Sequence, residues 1–69
     1  MQRIALESKI IKSAGYNIET EELEVEFING SVGTYAKVPT EVWTRFLQAP
    51  SKGGFLIRQI KPHFAFHKE

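Results

Sequence analysis

The sequence contains no cysteine and no aspartate, and it has no long apolar run. The absence of cysteine excludes disulfides and thiolate metal sites, and it fits a protein of the cytosol. A membrane-spanning helix needs about 18 or more apolar residues in succession, which the chain does not have. The first residues, MQRIALESK, also lack the apolar core of a signal peptide. We therefore expect a cytoplasmic protein that does not interact with membranes.

Enzymatic catalysis is not expected from the side chains that remain. The two histidines, His63 and His67, lie close to the C-terminus. Glu22, Glu24 and Glu26 alternate along one stretch, but carboxylates on an exposed strand are solvated, and acid–base catalysis requires a desolvated or specifically paired group. The histidines with Glu69 supply too few ligands for a structural zinc. We predict a non-catalytic protein without metal or cofactor.

The small net charge of +1 conceals an uneven distribution along the chain. Residues 1–35 carry three basic and six acidic side chains, whereas residues 36–69 carry six basic and two acidic ones. Such segregation favours an anionic partner for the second half. The alternative is that both halves are ordinary solvated surfaces, because charge blocks speak to association and not to fold.

A β-hairpin is the clearest local feature. Residues 22–28, ELEVEFI, alternate between glutamate and apolar side chains, which predicts a half-buried antiparallel strand. Asn29-Gly30 follows, and both residue types tolerate positive φ, so the pair predicts a two-residue type I′ turn. The return strand would be residues 31–38. A two-residue loop places Tyr35 opposite Glu24, on the polar side of the hairpin.

The remaining segments predict one further strand, two helices and an extended tail. Residues 9–16 have the composition of a strand that precedes the hairpin. A helix capped by Thr40 and ended by Pro50 would bury the face formed by Val42, Trp43, Phe46 and Leu47. A second helix would run from Ser51, as its cap, to Pro62, with Leu56, Ile57 and Ile60 on its apolar side. Residues 63–68 would form a short final strand or an extended cover over the core.

These elements predict an α+β fold, with residues 1–69 forming a single domain. The sheet would be small and antiparallel, with three strands and a fourth if the tail pairs. Two short helices would pack on one of its faces, in the order β-β-β-α-α-(β). Much of the core would come from five aromatic residues: Trp43, Phe46, Phe55, Phe64 and Phe66.

The segment SKGGFLIRQIKP, residues 51–62, is the candidate binding site. The free backbone N–H groups of a first helical turn and the helix dipole favour an anion, and Gly53 and Gly54 would let a phosphate approach. Lys52, Arg58 and Lys61 would add positive charge, and an exposed Tyr35 could stack on a base. Two alternatives stay open, namely that the glycines serve helix packing and that Tyr35 packs within the sheet.

Taken together, the residues resemble the KTSC domain, a short module named for its occurrence at the C-terminus of some lysyl-tRNA synthetases. The resemblance covers residues 8 to about 66, nearly the whole chain. It rests on the joint spacing of the hairpin, Val38-Pro39, residues 49–53 (APSKG) and Phe55, with the further matches Ser8, Ile11, Gly15, Tyr16, Leu23, Val25, Phe27, Gly30, Tyr35, Val42, Trp43, Leu47 and Ile60.

The resemblance implies a stand-alone bacterial or phage protein and, through the synthetase attachment, RNA or another nucleic acid as partner. A protein partner is the alternative that it leaves open. Two departures from the family pattern stand out. The family has a Tyr-x-Tyr motif where this chain reads Gly33-Thr34-Tyr35, and relatives tend to carry asparagine at the position of Ile57.

Overall fold

In the described part of the chain, five antiparallel strands form one sheet, in which they follow each other in chain order. The computed structural model describes residues 3–6 and 8–69. The strands are β1 (Arg3–Ala5), β2 (Ile11–Asn17), β3 (Glu22–Phe27), β4 (Val32–Tyr35) and β5 (Phe66–Lys68). The α+β class and the three predicted strands are confirmed, and the tail does pair with the sheet. The predicted count of three or four strands is wrong by the addition of β1.

β1 is too short to show a period in the sequence. It pairs with β2, with Arg3 opposite Gly15. β2 and β3 are both interior strands, so neither presents the free edge that binding of an extended partner would need. β1 and β5 are the edges of the sheet.

The hairpin between β3 and β4 has a three-residue loop, and the predicted two-residue loop is wrong. The N–H of Phe27 donates to the Ser31 carbonyl at 2.8 Å, and the N–H of Gly30 donates back to the Phe27 carbonyl at 3.0 Å. Gly30 has a φ of 91°, which suits the left-handed third position of such a loop. Within the described residues Asn29 does not adopt positive φ.

The extra loop residue shifts the register by one and so moves the side chains of β4 to the opposite face. Tyr35 lies opposite Leu23, and Thr34 lies opposite Glu24. The predicted pairing of Tyr35 with Glu24 is therefore wrong. Tyr35 faces the core, where only 3% of its surface remains exposed.

Two short helices lie between β4 and β5 in the chain, and the second one continues into a wider, π-helical turn. α1 spans Thr40–Gln48 with Pro39 at its N-cap, so the predicted capping role of Thr40 is wrong. α2 spans Lys52–Phe55, and Ser51 caps it as predicted: its Oγ accepts from the N–H of Gly54 at 3.2 Å. The helix then continues as a π-helical turn over Leu56–Ile60, which closes with a bond from the Lys61 N–H to the Leu56 carbonyl.

The core lies between the sheet and the helices. Phe46 from α1 and Leu56 and Ile60 from the π-helical turn meet the inner sheet face, and all three are buried. The sheet contributes Ile11, Ala14, Leu23, Val25 and Tyr35, and Val38 completes the buried set. Of the predicted core aromatics, Phe46 is buried and Trp43, Phe55 and Phe64 are partly buried. Phe66 keeps 39% of its surface exposed.

Candidate functional site

The two sides of the molecule have different charge. The outer sheet face carries the glutamates of β3, and Arg3 bridges two of them, with Nε 2.9 Å from Glu24 and Nη1 3.3 Å from Glu26. In the register of the sheet, Gly15 lies between Arg3 and Glu24. Ser13 donates a hydrogen bond to Glu26 at 3.1 Å. These carboxylates are therefore engaged within the sheet.

The basic helical layer is our name for the four cations of residues 40–61: Arg45, Lys52, Arg58 and Lys61. Glu41, in the first turn of α1, is the one carboxylate of this segment. No salt bridge involves any of the four cations within residues 3–6 and 8–69. Lys52 does make a hydrogen bond within the protein, because its ammonium donates to the Ala49 carbonyl at the end of α1.

The predicted site residues do not form one cluster. Gly53 is buried, and a Cβ there would lie 3.0 Å from the Ile10 Cδ1, so Gly53 allows the close approach of α2 to the segment before β2. The N–H of Gly54 already donates to Ser51. The packing alternative thus describes Gly53 well. An open depression lined by Ser8, Lys9, Pro50 and Lys52 leads along this contact.

Arg58 and Lys61 point into different depressions. The Arg58 guanidinium reaches back to within 3.6 Å of the Cβ position of Gly54, next to Ser51. Lys61 instead lines an apolar groove beside β5. The wider π-helical turn explains the separation: it has more residues per turn than an α-helix, so residues three apart fall further short of one full turn and lie on more different faces. That turn gave no signal in the sequence.

Tyr35 lies in the same groove as Lys61, but as part of its buried wall. Its ring packs against Phe66, with 4.7 Å between the ring centroids. Burial raises the pKa of the Tyr35 hydroxyl. A ring enclosed in this way does not offer an open face to a base, so the stacking role predicted for Tyr35 is not supported by its position. Sequence reasoning missed the contribution of Phe66 and Ile57 to this groove.

Other groups with possible chemistry are sparse. Within the described residues, no three His, Cys, Asp or Glu side chains are grouped as a metal would require. Among the described helices, none is long and apolar enough to cross a membrane.

The comparison with protein families is direct. A model of the KTSC domain matches residues 7–64, most of the chain. The chain belongs to the KTSC domain family. The crystal structure of a KTSC domain protein from Yersinia pestis is similar over 99% of this chain and 96% of that one. Its TM-score is 0.92 and its sequence identity 35%.

KTSC sequences similar to this one occur alone and within a larger enzyme. An uncharacterized protein of Stutzerimonas stutzeri (strain A1501) is 40% identical over 96% of this chain and 94% of its own length. A lysine–tRNA ligase of Nostoc punctiforme is also 40% identical, over 90% of this chain. There the match spans 11% of the length of the enzyme.

The KTSC fold also accounts for one departure from the family pattern noted in the sequence. Gly33 stands where the family has the first tyrosine of its Tyr-x-Tyr motif. The ring of Phe66 lies directly over Gly33, since a Cβ at that position would come within 2.1 Å of the Phe66 Cζ. The space that a side chain at position 33 would fill is thus occupied by the Phe66 ring of β5.

Proposed function

We propose that this KTSC domain is a small non-catalytic binding module that contacts RNA through its basic helical layer. The observation that carries the proposal is the difference in charge compensation between the two sides. On the sheet, Arg3 bridges Glu24 and Glu26 and Ser13 donates to Glu26, whereas the four helical cations have no ion-pair partner among the described residues. Unpaired cations on one side of a small protein are what phosphate binding requires.

Two further considerations support RNA as the polyanion. A KTSC segment is part of lysine–tRNA ligases, enzymes whose name specifies an RNA substrate. An RNA partner would also place the protein in the cytoplasm of a bacterium or of a phage-infected cell, and we include this location in the proposal. The catalytic alternative is disfavoured because Glu24 and Glu26, which would have to act as acid or base, are held in surface ion pairs.

Within the proposed interface, Arg45, Arg58 and Lys61 make the phosphate contacts from exposed positions, with Lys52 as a fourth cation. The backbone near Gly54 contributes less than the sequence suggested, because Ser51 occupies its N–H. Such an interface positions the RNA backbone and reads no base sequence.

The test is a binding titration of the full chain with a fluorescent, mixed-sequence single-stranded RNA at several salt concentrations. With about four phosphate contacts, the plot of log affinity against log salt should fall with a slope of about −3. The double variant Arg45→Gln/Arg58→Gln should make that slope shallower by about 1.4. A matched control, Lys12→Gln on the sheet side, should leave it close to the parent value.

Binding that does not respond to salt, or no binding at near-millimolar RNA and low salt, would remove the proposal. A protein partner would then be the remaining candidate. The exposed edges β1 and β5 are where an extended partner strand could pair.

A further inference from the structure

An apolar groove lies between the π-helical turn and β5. Leu56 and Ile57 line one side, Phe66 lines the other, and Tyr35 lies between them. Its volume is about 400 Å³, within the range of sites that hold small molecules or single side groups of larger ligands. The groove is separate from the open depressions beside Ser51 and Gly53.

The walls of this groove expose apolar side chains to solvent. Ile57 is 48% exposed, although its neighbour Leu56 is buried. The prediction that Ile57 packs in the core is therefore wrong. An exposed isoleucine facing an exposed phenylalanine across a groove forms a slot for a flat apolar group.

Phe66 is held in place before any ligand arrives. The Cζ end of its ring lies against Gly33, and the ring packs on Tyr35 and on Phe27, at 4.7 and 6.2 Å between centroids. An aromatic ring fixed by three neighbours loses little conformational freedom on binding, which favours stacking on its free surface.

Tyr35 supplies a polar group within this apolar surrounding. The residue is 97% buried, and its hydroxyl has no hydrogen-bond partner among the described residues. The hydroxyl is not sealed from solvent either, since no fully buried side-chain oxygen in the described part of the chain lacks a partner. Tyr35 lines the groove, and its hydroxyl can donate to or accept from a ligand group that reaches it.

The charges around the groove are of one sign. Lys61 is part of its lining, and Lys9 lines the adjoining depression that shares Ile10 and Phe27 with it. Among the residues that the structure describes, neither depression is lined by a carboxylate. The complementary ligand is therefore flat and apolar in its body, can hydrogen-bond at its edge and carries negative charge beside it. A nucleotide has this combination of properties.

We propose that this groove is a pocket for one unpaired base of a single-stranded RNA. The base stacks on Phe66 opposite Ile57, the Tyr35 hydroxyl hydrogen-bonds to its edge, and Lys61 contacts the adjacent phosphate. This inference rests on the proposed function and adds base contact to what would otherwise be binding of the backbone alone.

The experiment compares an eight-nucleotide oligouridylate with an abasic RNA of the same length and charge, using the full chain at low salt. The base pocket requires the abasic strand to bind about tenfold more weakly, the loss expected for one stacked base. Equal affinity of the two strands would overturn the pocket and would leave backbone binding through the helical layer intact. Absence of binding by both strands would overturn the proposed function and the pocket together.

A pair of matched variants tests whether the preference for oligouridylate over the abasic strand arises in the groove. Ile57→Glu places a carboxylate in the groove wall, whereas Leu47→Glu makes the same charge change at an exposed leucine of α1 outside the groove. Only the first should abolish the preference for oligouridylate over the abasic strand. Tyr35→Phe, which removes the hydroxyl and keeps the ring, should weaken oligouridylate binding about three- to tenfold.

Amide spectra should first confirm that each variant retains the fold. If both glutamate variants lose the same affinity, the groove plays no specific role and the pocket is wrong. The same conclusion follows if the side-chain signals of Ile57 and Phe66 respond to an acidic, leucine-containing peptide and not to oligouridylate. That result would assign the groove to a protein partner.

Discussion

The outer sheet face and the basic helical layer both carry several charges, but the charges are arranged differently. On the sheet, Arg3 lies within 3.3 Å of two glutamates and Ser13 donates to one of them. On the helices, no described carboxylate lies within salt-bridge distance of Arg45, Arg58 or Lys61. The charges of Arg3, Glu24 and Glu26 satisfy one another locally, whereas the helical cations remain available to a ligand. A comparison of charge totals alone would have missed this difference.

The largest expected effect concerns the core that both sides share. Phe46→Ala should lower the free energy of unfolding by about 3–5 kcal/mol, because it removes a fully buried ring from between the helices and the sheet. Urea denaturation followed by circular dichroism measures the loss. Leu47→Ala, the next residue and an exposed one, is the control and should change little. Similar losses in the two variants would mean that α1 packs through another face.

The next largest effect is on RNA affinity, and it should differ between the basic helical layer and the outer sheet face. Arg58→Gln should weaken binding of single-stranded RNA and reduce the salt slope by about 0.7, the contribution of one phosphate contact. Arg3→Gln should leave both quantities unchanged, because Arg3 lies on the sheet side. Fluorescence anisotropy at two or more salt concentrations reports both. Equal losses in the two variants would show that net charge, and not the helical layer, determines affinity.

The same pair of variants should behave in the opposite way in stability measurements. Arg3→Gln removes contacts to Glu24 and Glu26 and should lower stability by up to about 1 kcal/mol, since partly exposed ion pairs contribute little. Arg58→Gln should have no measurable effect. Thermal unfolding at low and at high salt tests this. Because salt screens ion pairs, the difference in unfolding temperature between Arg3→Gln and the parent should be smaller at high salt. A larger loss in Arg58→Gln would indicate a structural role for that side chain.

A smaller effect, visible only at high pH, tests the burial of Tyr35. Burial raises the pKa of its hydroxyl in the folded state above the ordinary value of 10.0. The unfolded chain therefore loses this proton at lower pH than the folded chain does. Stability is unaffected by this group below that ordinary value and falls as the pH rises from there through the folded pKa.

Tyr35→Phe removes the titrating hydroxyl and keeps the ring, so the alkaline loss of stability should be smaller in the variant. Denaturant unfolding of both proteins at several pH values, from neutral to above the ordinary tyrosine pKa of 10.0, gives the comparison. An identical pH dependence in the parent and the variant would mean that Tyr35 is solvated and that the register of β4 described above is wrong.

The sequence was sufficient for features that depend on local periodicity and on residues with restricted backbones. Alternation over residues 22–28 predicted β3, the change of period after Pro39 predicted α1, and Pro50 with Ser51 predicted where the first helix ends and the second begins. The jointly spaced residues also indicated the KTSC family, which the family comparison confirms. In each case the signal lies within a few neighbouring residues.

The tertiary structure decided what depends on one residue more or less in a loop or a turn. The three-residue loop at Gly30 moved Tyr35 from the polar side to the core, because a shift of one residue reverses the face of every side chain on a strand. The π-helical turn separated Arg58 from Lys61, and β1, only three residues long, pairs because β2 is there to receive it. The groove beside β5 arises from residues distant in the chain, and only packing brings them together.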